Sequence, residues 1–122
     1  MARTAQAVQA VRQGRSLADE IGLVPGRLRP GVQALAFHAM RGLGSAQWAR
    51  AQLAPKAPPP AVDALLTTAL ALLWPSLEAP YPAHTVVDQA VEAVRRQQPR
   101  AAGFVNAVLR RFLREREALL AE

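Results

Sequence analysis

Arginine is the residue type through which this chain can do chemistry. It carries fourteen arginines against a single lysine, Lys56. The guanidinium is a planar fork that matches two phosphate oxygens at once and stacks on an unpaired base. Arg110, Arg111 and Arg114 crowd one stretch, and an apolar stripe runs beside them. In the segment GFVNAVLRRF, Phe104, Val105, Val108, Leu109 and Phe112 recur at helical spacing, with Asn106 interrupting the same turns. If Leu109, Phe112 and Leu113 take the core side, the arginines cannot all face inward with them. Arg110 and Arg114 then share one outer face, one turn apart. Within the helix only Glu115 lies one turn from Arg110 or Arg111, whereas Arg114 and Arg116 have Glu115, Glu117 and Asp19 as candidate ion-pair partners.

The charge is uneven along the chain. The formal net charge is +6 over 122 residues. Residues 1–15 hold Arg3, Arg12 and Arg15 and no acid, and residues 95–122 hold seven bases against three acids. The stretch between them is close to neutral. Terminal helices that were neighbours would form one basic face that attracts phosphates. The plainer reading is a solvated surface that keeps the protein soluble. Arg3, Arg12, Arg15, Arg110, Arg111 and Arg114 are the leading candidates for nucleic-acid contact, with Arg95, Arg96 and Arg100 behind them.

Other chemistries find little support. There is no cysteine, which excludes disulfides, thiolate metal sites and a cysteine nucleophile. His38 and His84 are the only histidines, and neither stands at metal-ligand spacing with a second ligand. His38 reads as a half-buried packing residue and His84 as part of a helix start. The acids are scattered singly, and no glycine-rich loop follows a strand. The sequence therefore shows no catalytic centre, metal site or cofactor site. Trp48 and Tyr81 are candidate stacking surfaces, with core packing the better role for Trp48. No hydrophobic leader is evident, and the most apolar run, Ala61 to Trp74, is shorter than the roughly 20 residues a membrane span needs. These features suggest a soluble, cytoplasmic protein.

The elements that must position the arginines read as helices throughout. A first helix over residues 2–13 stops at Gly14, and Ser16 caps a short second one. Pro30 opens a third helix, ended by Gly42 and Gly44. Residues 45–54 form a fourth around Trp48. Pro55, Pro58, Pro59 and Pro60 make a stiff connector, the best internal boundary. The helix over 61–74 is apolar on almost every side, as a central helix should be. Pro75 ends it, and Pro80 and Pro82 flank Tyr81 in a loop. Thr85 and Asp88 fit a capping box at the start of the next helix. Pro99 marks a break, and the last helix runs over about residues 101–119. The fold class is all-α, and residues 1–122 suit one domain.

Several words of the sequence together resemble the NusB-like domain. Gly14-Arg15-Ser16-Leu17 looks like the G-x-S-L after that family's first helix. Met40-Arg41 resembles its arginine before a glycine, and the run from His84 to Val91 its entry to the penultimate helix. Residues 105–110, VNAVLR, resemble its V/F-N-G/A-V-L-x core, with Ala107 standing where glycine is common. Arg41, His84, Asn106 and Leu109 are thus the motif residues. The resemblance implies a bundle of two three-helix halves. The family occurs as free antitermination factors and as the front end of bacterial ribosomal RNA cytosine methyltransferases. Arg110 and Arg111 after the V-L pair, with the G-x-S-L word, resemble the methyltransferase branch. Full-length members of that branch carry a C-terminal S-adenosylmethionine domain and use a cysteine thiolate on the pyrimidine ring. This cysteine-free chain resembles their isolated N-terminal domain.

The expectation is therefore a non-catalytic module that holds ribosomal RNA for a methyltransferase. An antitermination factor that binds RNA with a small ribosomal-subunit protein is one alternative. A structural domain that docks on its own catalytic half without touching RNA is another.

Overall fold

The computed structural model describes residues 1–74 and 81–120, and the described residues are helical with no strand. Before the proline connector come α1 (Ala2–Arg12), the short α2 (Leu17–Gly22), α3 (Arg29–Arg41) and α4 (Leu43–Leu53). After it come α5 (Pro60–Leu72), α6 (Ala83–Gln97), a 3₁₀ turn (Pro99–Ala101) and α7 (Ala102–Leu120). The three longer helices of each half make the all-α bundle. The expected stop at Pro75 and the loop proline Pro80 lie outside the described residues.

The hub is α5. Every residue from Ala64 to Leu72 is buried, and α5 packs on α1, α3, α4, α6 and α7. An all-round apolar helix is stable only when others surround it. The last helix docks on it through Val105, Leu109 and Phe112, all without exposed surface. Phe112 also stacks on Trp74, with ring centroids 5.6 Å apart. Phe104 does not follow the rest of the apolar stripe and stays 39% exposed. Trp48 is a correction of the same kind: it is 39% exposed on α4 rather than packed in the core. Trp74 is the core indole, at 7%.

The ends of the helices follow local chemistry. Gly14 has φ +94°, the left-handed conformation that favours glycine. The amide of Gly14 donates to Val11 O and that of Arg15 to Ala10 O, at 3.0 Å each, which closes α1 in a Schellman motif. Gly44 does not help to end α3, because α4 begins at Leu43 directly after Gly42. Nor does Thr85 cap α6. The helix starts at Ala83 behind Pro82, so His84 and Thr85 lie in its first turn. Proline's fixed φ and missing N–H suit the edge of a helix and displace the expected capping box.

One polar network ties α1, α4 and α5 together. Asp63 accepts from Arg50 Nε at 2.9 Å and from Thr67 Oγ1 at 3.4 Å, and Arg12 Nη2 lies 3.9 Å away. The carboxylate is largely enclosed, so its loss leaves two guanidinium groups less well paired. Asp63→Ala should cost about 1–2 kcal/mol. In urea unfolding this appears as a lower midpoint at unchanged m-value. An unmoved midpoint would show that the network adds nothing to stability.

Candidate nucleic-acid interface

The terminal helices are not packed side by side. α1 lies on α2, α3 and α5, and α7 lies on α4, α5 and α6. The positive charge of the two chain ends is therefore divided by α5, and the surface that gathers arginines is built around α6 instead.

Two clefts flank the C-terminal half of α6. The first, of about 410 Å3, runs between α6 and α7 and is lined by Asp88, Glu92 and Arg95 on one helix and by Asn106 and Arg110 on the other. The second, of about 300 Å3, lies between α6 and the start of α1, with Arg3 facing Arg96 across it. The Met1 α-amine borders this cleft, and burial lowers its pKa from the usual value. Arg3 is thus its dependable cation on the α1 side.

Glu92 stands on the ridge shared by both clefts. Its Oε2 takes Arg95 Nη1 at 2.9 Å and its Oε1 takes Arg96 Nε at 3.4 Å. One carboxylate thereby spreads two guanidinium groups to opposite sides of α6. Such exposed pairs contribute little stability, about 0–1 kcal/mol, so a phosphate can compete for either arginine. On α7, Arg110 Nε donates to Asn106 Oδ1 at 2.9 Å, which fixes the guanidinium and leaves its two terminal nitrogens available. Arg114 follows one turn on, exposed, and Arg100 is exposed in the 3₁₀ turn. Among the described residues, Arg3, Arg100 and Arg114 have no ion-pair partner.

The remaining candidates sit elsewhere. Arg111 points away from Arg110. It pairs with Glu115 at 2.6 Å and reaches Leu53 O at 3.5 Å, beside Arg50 Nη1, which donates to Ala54 O at 2.8 Å. Together they satisfy carbonyls at the C-terminal end of α4. Arg12 faces Asp63, and Arg15 pairs with Glu20 at 3.1 Å. Arg12 lies at the far end of α1, about 13 Å along the helix from Arg3, and Arg15 follows the turn that closes the helix. Arg41 is exposed at the end of α3, Leu109 is buried, Asn106 is half-buried and His84 is exposed on the first turn of α6. His38 is half-buried on α3. Tyr81 is exposed beside an apolar hollow with Leu35 and Val86.

Sequence reasoning did not single out Glu92, and it read Asp88 only as the acid of a capping box. The i, i+3 and i, i+4 spacing of Glu92 to Arg95 and Arg96 was a usable local signal. The meeting of Asp63 with Arg50 had none, because it joins separate helices. Among the described residues no group of acids or histidines is arranged to hold a metal, and no helix is long and apolar enough to cross a membrane.

Comparison with known proteins gives this bundle relatives. The chain is 31% identical over 124 residues to a protein of Citrobacter koseri called Ribosomal RNA small subunit methyltransferase B, covering 97% of this chain and 29% of that one. Proteins of the same name from Serratia proteamaculans and Klebsiella pneumoniae are 32% and 30% identical, covering 92% and 97% of this chain. The chain spans 27% and 29% of those two relatives' lengths. The NusB family model matches residues 3–114. With seven α-helices among the described residues, a Schellman stop at Gly14 and the 105–110 word seated on α5, the chain belongs to the NusB family.

Proposed function

We propose that residues 1–122 form a single RNA-binding domain that holds small-subunit ribosomal RNA for the catalytic part of a cytosine methyltransferase. The observation that carries this reading is the placement of Arg3, Arg95, Arg96 and Arg110 along two clefts divided by one helix. Arginines on both sides of a ridge can hold successive phosphates of one strand, and phosphate contacts set register and orientation. Arg100 and Arg114 extend the track at either end. Arg12, Arg15 and Arg111 are contacts of the second rank in this scheme, since none of them lines either cleft.

The names of the relatives support a ribosomal RNA target, and the match to less than a third of their length leaves room for catalysis elsewhere in such enzymes. S-adenosylmethionine would be bound there and would supply the methyl group. The residues of this domain bind and orient, and take no part in bond making.

The test is a titration against single-stranded fragments of small-subunit ribosomal RNA at several salt concentrations, with duplex DNA as competitor. Contact with about four to six phosphates gives a log–log slope near −3 to −4. Salt-steep binding that prefers one fragment over DNA is the expected result. Equal, weak binding to every polyanion would reduce the arginines to generic charge. No binding at low salt would favour docking on a protein partner.

A further inference from the structure

We propose that the α6–α7 cleft reads a single unpaired guanine; the inference rests on the RNA reading above and gives it a base. Two groups of opposite charge, Asp88 and Arg110, line this cleft and do not pair with each other. Asp88 has no hydrogen-bond or ion-pair partner among the described residues, so both its oxygens are open. Arg110 is held through Nε by Asn106, which leaves the terminal fork free.

A cleft that met only phosphates would gain nothing from an unpaired carboxylate, which repels them. A base edge is different. Guanine presents two parallel donors, N1–H and N2–H, that a carboxylate accepts together. On the adjoining edge it presents two acceptors, O6 and N7, that an arginine fork donates to together. Adenine, cytosine and uracil lack the paired donors. The rest of the cleft suits a flat ring. Val91 and Ala102 offer apolar surface, and Gly103 brings no side chain. A Cβ placed on Gly103 would meet no atom within 4 Å, so the space in front of it is open. The volume of about 410 Å3 accommodates one base with its sugar. Arg95 at one end and Arg114 beyond the other are placed for the flanking phosphates.

The experiment uses short oligouridylates with one central nucleotide varied, titrated by fluorescence anisotropy at fixed salt. A central guanosine should bind about tenfold tighter than adenosine, cytidine or uridine, within the range of a bidentate base contact. Inosine, which lacks the N2 amino group, should lose most of that gain. Asp88→Asn should abolish the guanosine preference while leaving the salt slope and the melting temperature unchanged. Gly103→Gln, which projects into the open part of the cleft, should do the same. Equal, salt-steep binding of all four oligonucleotides overturns the guanine site and leaves the RNA reading standing. A guanosine preference that survives Asp88→Asn places the discrimination elsewhere and also overturns it. Failure of every oligonucleotide and of ribosomal RNA fragments to bind at low salt removes both.

Discussion

Phe112→Ala should destabilise the protein by about 3–5 kcal/mol, the range for emptying a fully buried aromatic site. Phe112 has no exposed surface and stacks on Trp74, itself buried. Truncation removes the transfer free energy of a phenyl ring, leaves a cavity that rigid helices close only in part, and ends the contact between the rings. Proteins of this kind are stable by about 5–15 kcal/mol, so the change removes a large share. Thermal unfolding followed by far-ultraviolet circular dichroism should show a fall of about 10–20 °C. Phe104→Ala is the control within the same helix. Its ring is 39% exposed, and its loss should cost less than about 1 kcal/mol. Similar losses for the two variants would mean that α7 does not turn Phe112 to the core.

Arg95→Ala combined with Arg96→Ala should weaken ribosomal RNA binding by about 10–30-fold near 0.1 M salt and make the salt slope shallower by about 1.4, two single-strand phosphate equivalents. Both side chains are exposed and neither holds the core, so the melting temperature should stay within a few degrees. Arg12→Ala with Arg15→Ala removes the same charge from the far end of α1 and the turn that closes it. If the clefts around α6 are the binding surface, that second pair should weaken binding several-fold less. Equal effects would mean that net charge, not position, governs binding. This comparison separates a built site from a basic surface more sharply than the total affinity does.

The fold was legible because its strongest signals are local. The apolar run after the proline connector became α5, displaced by one residue at its start, and the 103–112 word became the docking face of α7. Gly14 ended α1 as its conformational freedom suggests. The errors lie where two local signals compete. Thr85 carries capping chemistry, but Pro82 had already begun the helix. Trp48 is a large apolar residue, and whether its ring enters the core depends on what faces it, which no window of sequence contains. The candidate site was legible only as a list of arginines. Its division into clefts depends on α5 standing between α1 and α7, and on Glu92 pairing with both Arg95 and Arg96. Arg110 and Arg111 are neighbours in sequence, yet a helix turns them about 100° apart and gives them different partners.

The burial of α5 from every side also bears on how the protein fails. The helices before the proline connector meet those after it mainly through α5, beside a smaller contact of α4 on α7. Loosening either half strips the same helix, so damage spreads rather than staying local, as in a single all-or-none unit. The clefts around α6 then have no graded, half-assembled form. A substitution deep in the first half would lower the number of competent molecules without altering how tightly each survivor grips its ligand. Abundance and affinity thus become separable properties of the same chain.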